Sequence, residues 1–363
     1  MRFGALCVVS ALVGLPLACA EIIGAEFDRS RCPNERCVQS VAENLAYPYG
    51  IAVDDQWIYW TTAGVPRCAQ GAGRVMRRSK TGGDVVVIAE AQSCPSRLVL
   101  DDTYVYWTNA SPTDGKVQRL PKDAVPGIDV PEVLADAQPS PIGLAVDATH
   151  VYWTTGTPSV RVLALDKRDA GTADLLGPDA TPWASSGVRD PSLLAIDQTH
   201  VYVTEFAFDG GVWKIPMDAG TCCPNDASVC ADAGDPCEYS VRLTVDQPIP
   251  NGIVVDLSTV YFVTYSRPGA VKAVQKHALA GPAQELASDQ NKPADLATDG
   301  AYLYWTNSGD GTIRRVPMPG GTPETIASDQ GAPNCVAVDE TYVYWTVHAE
   351  GGGVRMAPKV PER

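Results

Sequence analysis

A chain of 363 residues, 45% hydrophobic and 20% charged with 32 Gly and 29 Pro, has length for two or three ordinary domains, yet its composition suits short strands and tight turns rather than helices. No segment keeps an apolar period of 3.6 residues, so long amphipathic helices are excluded from the expectation. The formal net charge of −15 sets the surface against nucleic acid and anionic membrane as partners.

The chain opens on M-R-F and an apolar run to Leu17, then Ala18, Cys19 and Ala20, which reads as an export signal over residues 1–20. The run is too short to span a bilayer. Two cuts compete. Cleavage after Ala20 releases a secreted protein, whereas cleavage before Cys19 leaves a cysteine to be acylated and a chain lipid-anchored in the bacterial cell envelope. L-P-L-A-C resembles a lipobox with Pro16 in an aliphatic position. Either cut places the mature chain outside the cytoplasm, with the membrane a partner only through a lipid on Cys19. Residues 21–36 read as a short linker.

From there one motif repeats: an apolar run ending in Asp, three turn residues, then an aliphatic-Tyr-aromatic-Thr strand. It occurs at 51–61, 98–108, 144–154, 194–204, 253–263, 296–306 and 336–346, with its aspartates at 54, 101, 147, 197, 256, 299 and 339. Seven copies, 40 to 59 residues apart, indicate an array with room for four strands per period. Third strands follow Gly-containing turns at 73–78, 115–120, 211–216 and 311–316, and short apolar fourth strands stand at 85–89, 132–135, 284–287 and 324–327. The last copy has no fourth strand of its own, and V-Q-S-V-A from residue 38 resembles the missing piece. The expectation is therefore an all-β fold, a seven-bladed β-propeller of four-stranded antiparallel blades over 37–363, closed by residues 37–43 pairing with the last blade so that no sheet edge stays open. Stacked blades cover a middle strand on both faces, so V-Y-W-T sends Val and Trp one way and Tyr and Thr the other.

Five copies carry Y-W-T, which resembles the Y-W-T-D repeats of LDL-receptor class B propellers and, more distantly, NHL-type, gluconolactonase-like and virginiamycin B lyase propellers. The resemblance spans about 37–363 and implies fold rather than activity. The position after Y-W-T is Thr62, Asn109, Thr155, Asn307 or Val347 instead of Asp, and there are seven copies where the receptor domains have six.

In such a ring the fourth-to-first and second-to-third strand loops share one face, where ligands sit over the channel. The first-strand starts on that face offer Arg97, Asn251, Asp295 and Asn334, with Cys335 beside them. Arg97 and Asp295 read equally as a mutual or solvated pair. His348, two residues before Glu350, completes the ligand-binding candidates. No catalytic residue is assigned. Asp295 alone is acidic among those starts, short of the carboxylate set a metal-dependent lactonase needs. His150 and His200 lie on the opposite face as turn residues, the seven aspartates read as a structural ring, and Gln-x-x-Pro at Gln92, Gln138, Gln247, Gln290 and Gln330 reads as a repeated turn, with a sugar-binding ring of glutamines as the alternative.

The 11 cysteines of an exported chain read mainly as disulfides. An insertion at 218–238 carries Cys222, Cys223, Cys230 and Cys237, whose spacing fits two disulfides better than the paired C-x-x-C of zinc sites. Its Asp226, Asp232 and Asp235 leave a Ca²⁺ reading without an EF-hand pattern, and no other cofactor is indicated. Cys68 and Cys94 are placed to pair, as are Cys32 and Cys37, leaving Cys335 free. The functional expectation is a non-enzymatic binding module for a protein, glycan or small ligand at the channel mouth. Its alternatives are a lactonase- or lyase-like enzyme and a purely structural envelope module.

Overall fold

The computed structural model describes residues 38–156, 161–167, 172–174, 188, 190–217 and 240–359. The export signal, Cys19, Cys32, Cys37, the whole linker and the four cysteines and three aspartates of the insertion lie outside the described residues.

Seven four-stranded antiparallel sheets follow one another along the chain, numbered here as blades 1 to 7. Their innermost strands are Pro48–Val53, Pro95–Leu100, Pro141–Val146, Pro191–Ile196, Pro250–Val255, Pro293–Thr298 and Pro333–Val338. Each pairs with the strand carrying the Tyr-aromatic-Thr signature, from Trp57–Thr62 in blade 1 to Tyr342–Val347 in blade 7. Blade 7 takes its outermost strand from the other end of the chain: Gln39–Ala46 pairs with Glu350–Pro358, Gln39 opposite Met356. The seven-bladed ring and its closing strand are thus as expected from the repeats.

The core is seven clusters, one per blade junction. Val105 and Trp107 of blade 2 pack with Tyr59 of blade 1, while Tyr106 turns the other way onto Val151 and Trp153 of blade 3. Trp60, Trp107, Trp153, Trp305 and Trp345 are fully buried. A buried aromatic contributes roughly 4–6 kcal/mol of gross burial, most of it offset by chain entropy.

The Asp and Tyr of the repeated motif, and in most blades its Thr, also have hydrogen-bonding tasks. The Asp Oδ1 accepts from two backbone N–H groups of the following turn, as Asp101 does from Thr103 and Tyr104. Its Oδ2 accepts from the Tyr hydroxyl five residues on, at 2.6–2.9 Å in six blades and 3.4 Å in blade 1. In blades 1, 3, 6 and 7 the Thr hydroxyl accepts from its own inner strand and donates to the next blade's, as Thr61 does between Gly50 N and Ser96 O. At the closure Thr346 donates to Tyr49 O at 2.8 Å. A further contact, unread in the sequence, staples blade to blade: a Lys after the third strand reaches back to the preceding blade's aspartate. Lys80–Asp339, Lys122–Asp54, Lys167–Asp101, Lys276–Asp197 and Lys359–Asp299 lie at 2.6–3.1 Å. At the two other junctions Met217 and Met318 stand in that place.

The Gln-x-x-Pro segments are a repeated turn, and more. The residues before the inner-strand prolines hold left-handed φ angles of 45–58° in six of seven blades: Tyr47, Cys94, Ser140, Asp190, Ile249 and Lys292. At three of these turns the glutamine accepts from the next blade's indole, whereas the Trp345 indole N–H after Gln330 is buried without a partner. Trp107, Trp153 and Trp305 donate to Gln92, Gln138 and Gln290, each at 3.0 Å. These three oxygens are spent inside the blade packing rather than offered to a sugar. Where blade 4 replaces Trp with Val203, the glutamine position is Val188, in the same cluster. Where blade 5 has Phe262, Gln247 accepts from Lys272 instead. Blade 1 keeps Trp60, but its glutamine position is Leu45, and the Trp60 indole N–H is buried without a partner.

Candidate functional site

The seven inner strands run round the central channel, and in their third residue the sevenfold pattern breaks: Gly50, Arg97, Gly143, Leu193, Gly252, Asp295 and Cys335. Glycine alternates with larger residues round blades 1 to 6 because neighbouring strands come too close for a side chain at every position. A Cβ on Gly50 would sit 2.3 Å from Ser96 O, and one on Gly252 2.7 Å from the Asp295 Cα. The larger side chains then share the channel.

Arg97 of blade 2 and Asp295 of blade 6 meet across it. The guanidinium donates from Nη1 to Oδ2 at 2.8 Å and from Nη2 to Oδ1 at 2.6 Å, a two-pronged pair with the strength of charge-assisted bonds. The Asp295 side chain is 6% exposed and that of Arg97 17%. Blade 7 supports both halves. Val336 N–H donates to Asp295 Oδ2 at 3.1 Å, and Arg97 Nη1 approaches Cys335 Sγ at 3.3 Å. Burial works against the guanidinium's charge, but the Asp295 carboxylate outweighs it and Arg97 is held more firmly protonated than usual. Burial pushes the Cys335 thiol up to about 12, so it stays a thiol at neutral pH.

The pair borders a cavity of about 370 Å³ along the channel, walled by inner-strand residues such as Ile51, Leu98, Leu144, Leu194, Ile253 and Val336. Beside it stands Tyr49, whose hydroxyl burial raises to about 12, with the Asn334 side chain lowering it slightly. Asn334 Nδ2 also faces Cys335 Sγ at 3.7 Å. Asn251 is tied into the wall: Ser192 Oγ donates to its Oδ1 and its Nδ2 donates to Ala294 O. His348 stands one ring further out, its centroid 5.4 Å from Tyr49 and 5.5 Å from Tyr47. Its Nδ1 donates to Pro48 O at 3.1 Å, which leaves Nε2 as an acceptor, buried and without a partner. Burial, with Arg67 nearby, lowers its pKa, so the ring is neutral at pH 7.

Of the sequence candidates, Arg97, Asp295, Asn334 and Cys335 are brought together, Asn251 sits in the adjoining wall and His348 reaches the group only through Tyr49. Tyr49 itself was passed over in the sequence. The signal was its place, second in an inner strand beside the same residue in Asn251 and Asn334. The Cys68–Cys94 disulfide is present, joining a blade 1 loop to the turn that leads into blade 2, with Cys335 free and buried. His150 and His200 are not in the turn itself but open the second strands of blades 3 and 4, each donating its backbone N–H to the Asp three residues earlier. Among the described residues, no three His, Cys, Asp or Glu side chains are grouped to hold a metal, and no helix is long and apolar enough to cross a membrane.

No known protein family and no curated protein sequence matches the chain. Solved structures do. An inactivated virginiamycin B lyase from Staphylococcus aureus with quinupristin has a TM-score of 0.65 at 14% identity, covering 90% of this chain and 100% of its own. The PQQ-bound aldose sugar dehydrogenase of Streptomyces coelicolor gives 0.54 at 14%, covering 89% and 97%. A nidogen/laminin complex gives 0.50 at 17%, covering 68% and 85%. A lyase, a dehydrogenase and a nidogen/laminin complex have similar structures, so what the likeness shows is the fold: the chain is a seven-bladed β-propeller.

Proposed function

We propose that the protein is an exported binding module that takes a small ligand at its channel. The observation that carries this reading is the Arg97–Asp295 pair on the channel cavity. The two charged side chains there satisfy each other, and the amide and hydroxyl groups of Asn334 and Tyr49 beside them recognise without reacting. A cavity of about 370 Å³ is in the range of small-ligand sites, which speaks against a purely structural envelope module. The Cys68–Cys94 disulfide supports an oxidising compartment, reached as a secreted or Cys19-anchored chain.

One observation favours a lactonase- or lyase-like enzyme instead: the free lone pair on neutral His348, which a general base requires. A thermal-shift screen of the full chain against neutral sugars, short peptides and amino acids, with each compound recovered and weighed by mass spectrometry, separates the two. The binding reading expects a compound that raises Tm and returns unchanged. At about 100 times its Kd such a ligand adds about 2.7 kcal/mol. A compound consumed by the wild type and spared by His348→Ala would overturn it.

A further inference from the structure

The cross-channel pair has an unusual build for a purely structural brace. Its two members come from blades 2 and 6, and each has a second contact in blade 7 that does not involve the other: Val336 N–H for Asp295, and Cys335 Sγ for Arg97. The carboxylate is short and nearly buried, whereas the guanidinium, on a long and more exposed stem, is the part able to swing. Parting the pair therefore leaves two half-sites, one for a cation and one for an anion, at the edge of a cavity lined by the inner strands.

We propose that Arg97 and Asp295 form a latch opened, partner for partner, by a zwitterionic small molecule such as a free α-amino acid: its carboxylate takes Arg97 and its ammonium takes Asp295. The reasoning is charge balance. A ligand with one charge would pair with one member and leave the other buried and alone, which costs more than the new pair returns. A ligand with both charges close together re-pairs each member, so no charge is stranded. Its remaining side chain extends along the cavity past the inner strands that carry Leu193, Leu194 and Ile253.

This inference rests on the binding reading above and is tested by titration calorimetry of the full chain with glycine, L-leucine, L-glutamine and L-phenylalanine. The single-charge analogues of leucine, 3-methylbutylamine and 4-methylpentanoate, are run beside them. L-Leucine is expected to bind, and each analogue at least about tenfold more weakly, the loss of one charge-assisted contact. The double variant Arg97→Met with Asp295→Leu strands no charge and so keeps the fold, checked by its thermal melt, while losing leucine binding. Either analogue binding as tightly as leucine overturns the latch, as does leucine binding unchanged by the double variant. If none of the four amino acids binds while a neutral compound does, the latch falls and the binding reading stands. Conversion of a compound removes the reading beneath it.

Discussion

Trp60 is the one residue of the repeated frame whose defect has a visible cause. In blades 2, 3 and 6 an indole N–H meets a glutamine from the preceding blade, whereas Leu45 stands opposite Trp60 and offers nothing. An unmet buried donor costs about 1–3 kcal/mol. Leu45→Gln is therefore expected to cost clearly less than Leu45→Ala, for which a loss of about 2–5 kcal/mol applies. Gln92→Leu, which strands the Trp107 indole and leaves the Asn109 amide only its bond to Gln118, should cost about 1–3 kcal/mol. Urea denaturation of the three variants checks this, and equal losses for the two Leu45 variants would refute the pairing. The glutamines were visible in the sequence as a turn signal because Pro follows at a fixed offset. Their indole partners lie 15 residues on, in the next blade, and only the exceptions expose the link: Val188 with Val203, Leu45 with Trp60.

At the level of the strand and its turn, the aspartate that ends each inner strand is both a turn-former and one half of a staple. Burial alone would raise the Asp101 carboxyl, but bonds from Lys167, the Tyr104 N–H, the Tyr106 hydroxyl and the Thr103 N–H outweigh it and hold it at about 2. Asp299, with Lys359, the Tyr302 N–H and the Tyr304 hydroxyl, behaves likewise at about 2, and Asp197 is lowered further still. An unfolded aspartate titrates near ~3.9, so these groups stabilise the folded chain fully above that pH. The contribution fades as pH falls towards about 2. Tm should fall steeply across that window, and the Asp101→Asn, Asp299→Asn double variant should have a lower Tm at pH 7 with a shallower acid slope. An unchanged slope would remove the aspartates from the acid transition. The turn half of this device was legible, since Asp followed by three turn residues is a local pattern. The staple half was not, because Lys or Met at the end of a third strand carries no local signature and its partner lies a full blade earlier.

For the ring as a whole, closure depends on two chain segments more than 300 residues apart meeting in one sheet, Gln39–Ala46 against Glu350–Pro358. Deleting residues 38–46 uncovers Ile58, Trp60 and Val354 and leaves Glu350–Pro358 with a bare edge. The expected result is a broad, non-cooperative melt by circular dichroism, recovered in part by adding a peptide of residues 38–46. A sharp melt near the wild-type Tm would show that closure is dispensable. The number of blades and the closing strand could be read from repetition, and Arg97 and Asp295 from where the copies differ, but repetition does not decide between a mutual and a solvated pair. Arg97 and Asp295 are 198 residues apart in the chain and meet only because a ring of seven turns blade 2 to face blade 6. The closing strand also sets a clock. The segment that completes the last blade is made more than 300 residues before the strand it pairs with, and it has no partner until that strand appears. At about 5–20 residues per second the wait is on the order of tens of seconds. Throughout it a strand with a strongly apolar face stands unpaired, so this architecture depends on whatever shelters its beginning until its end arrives.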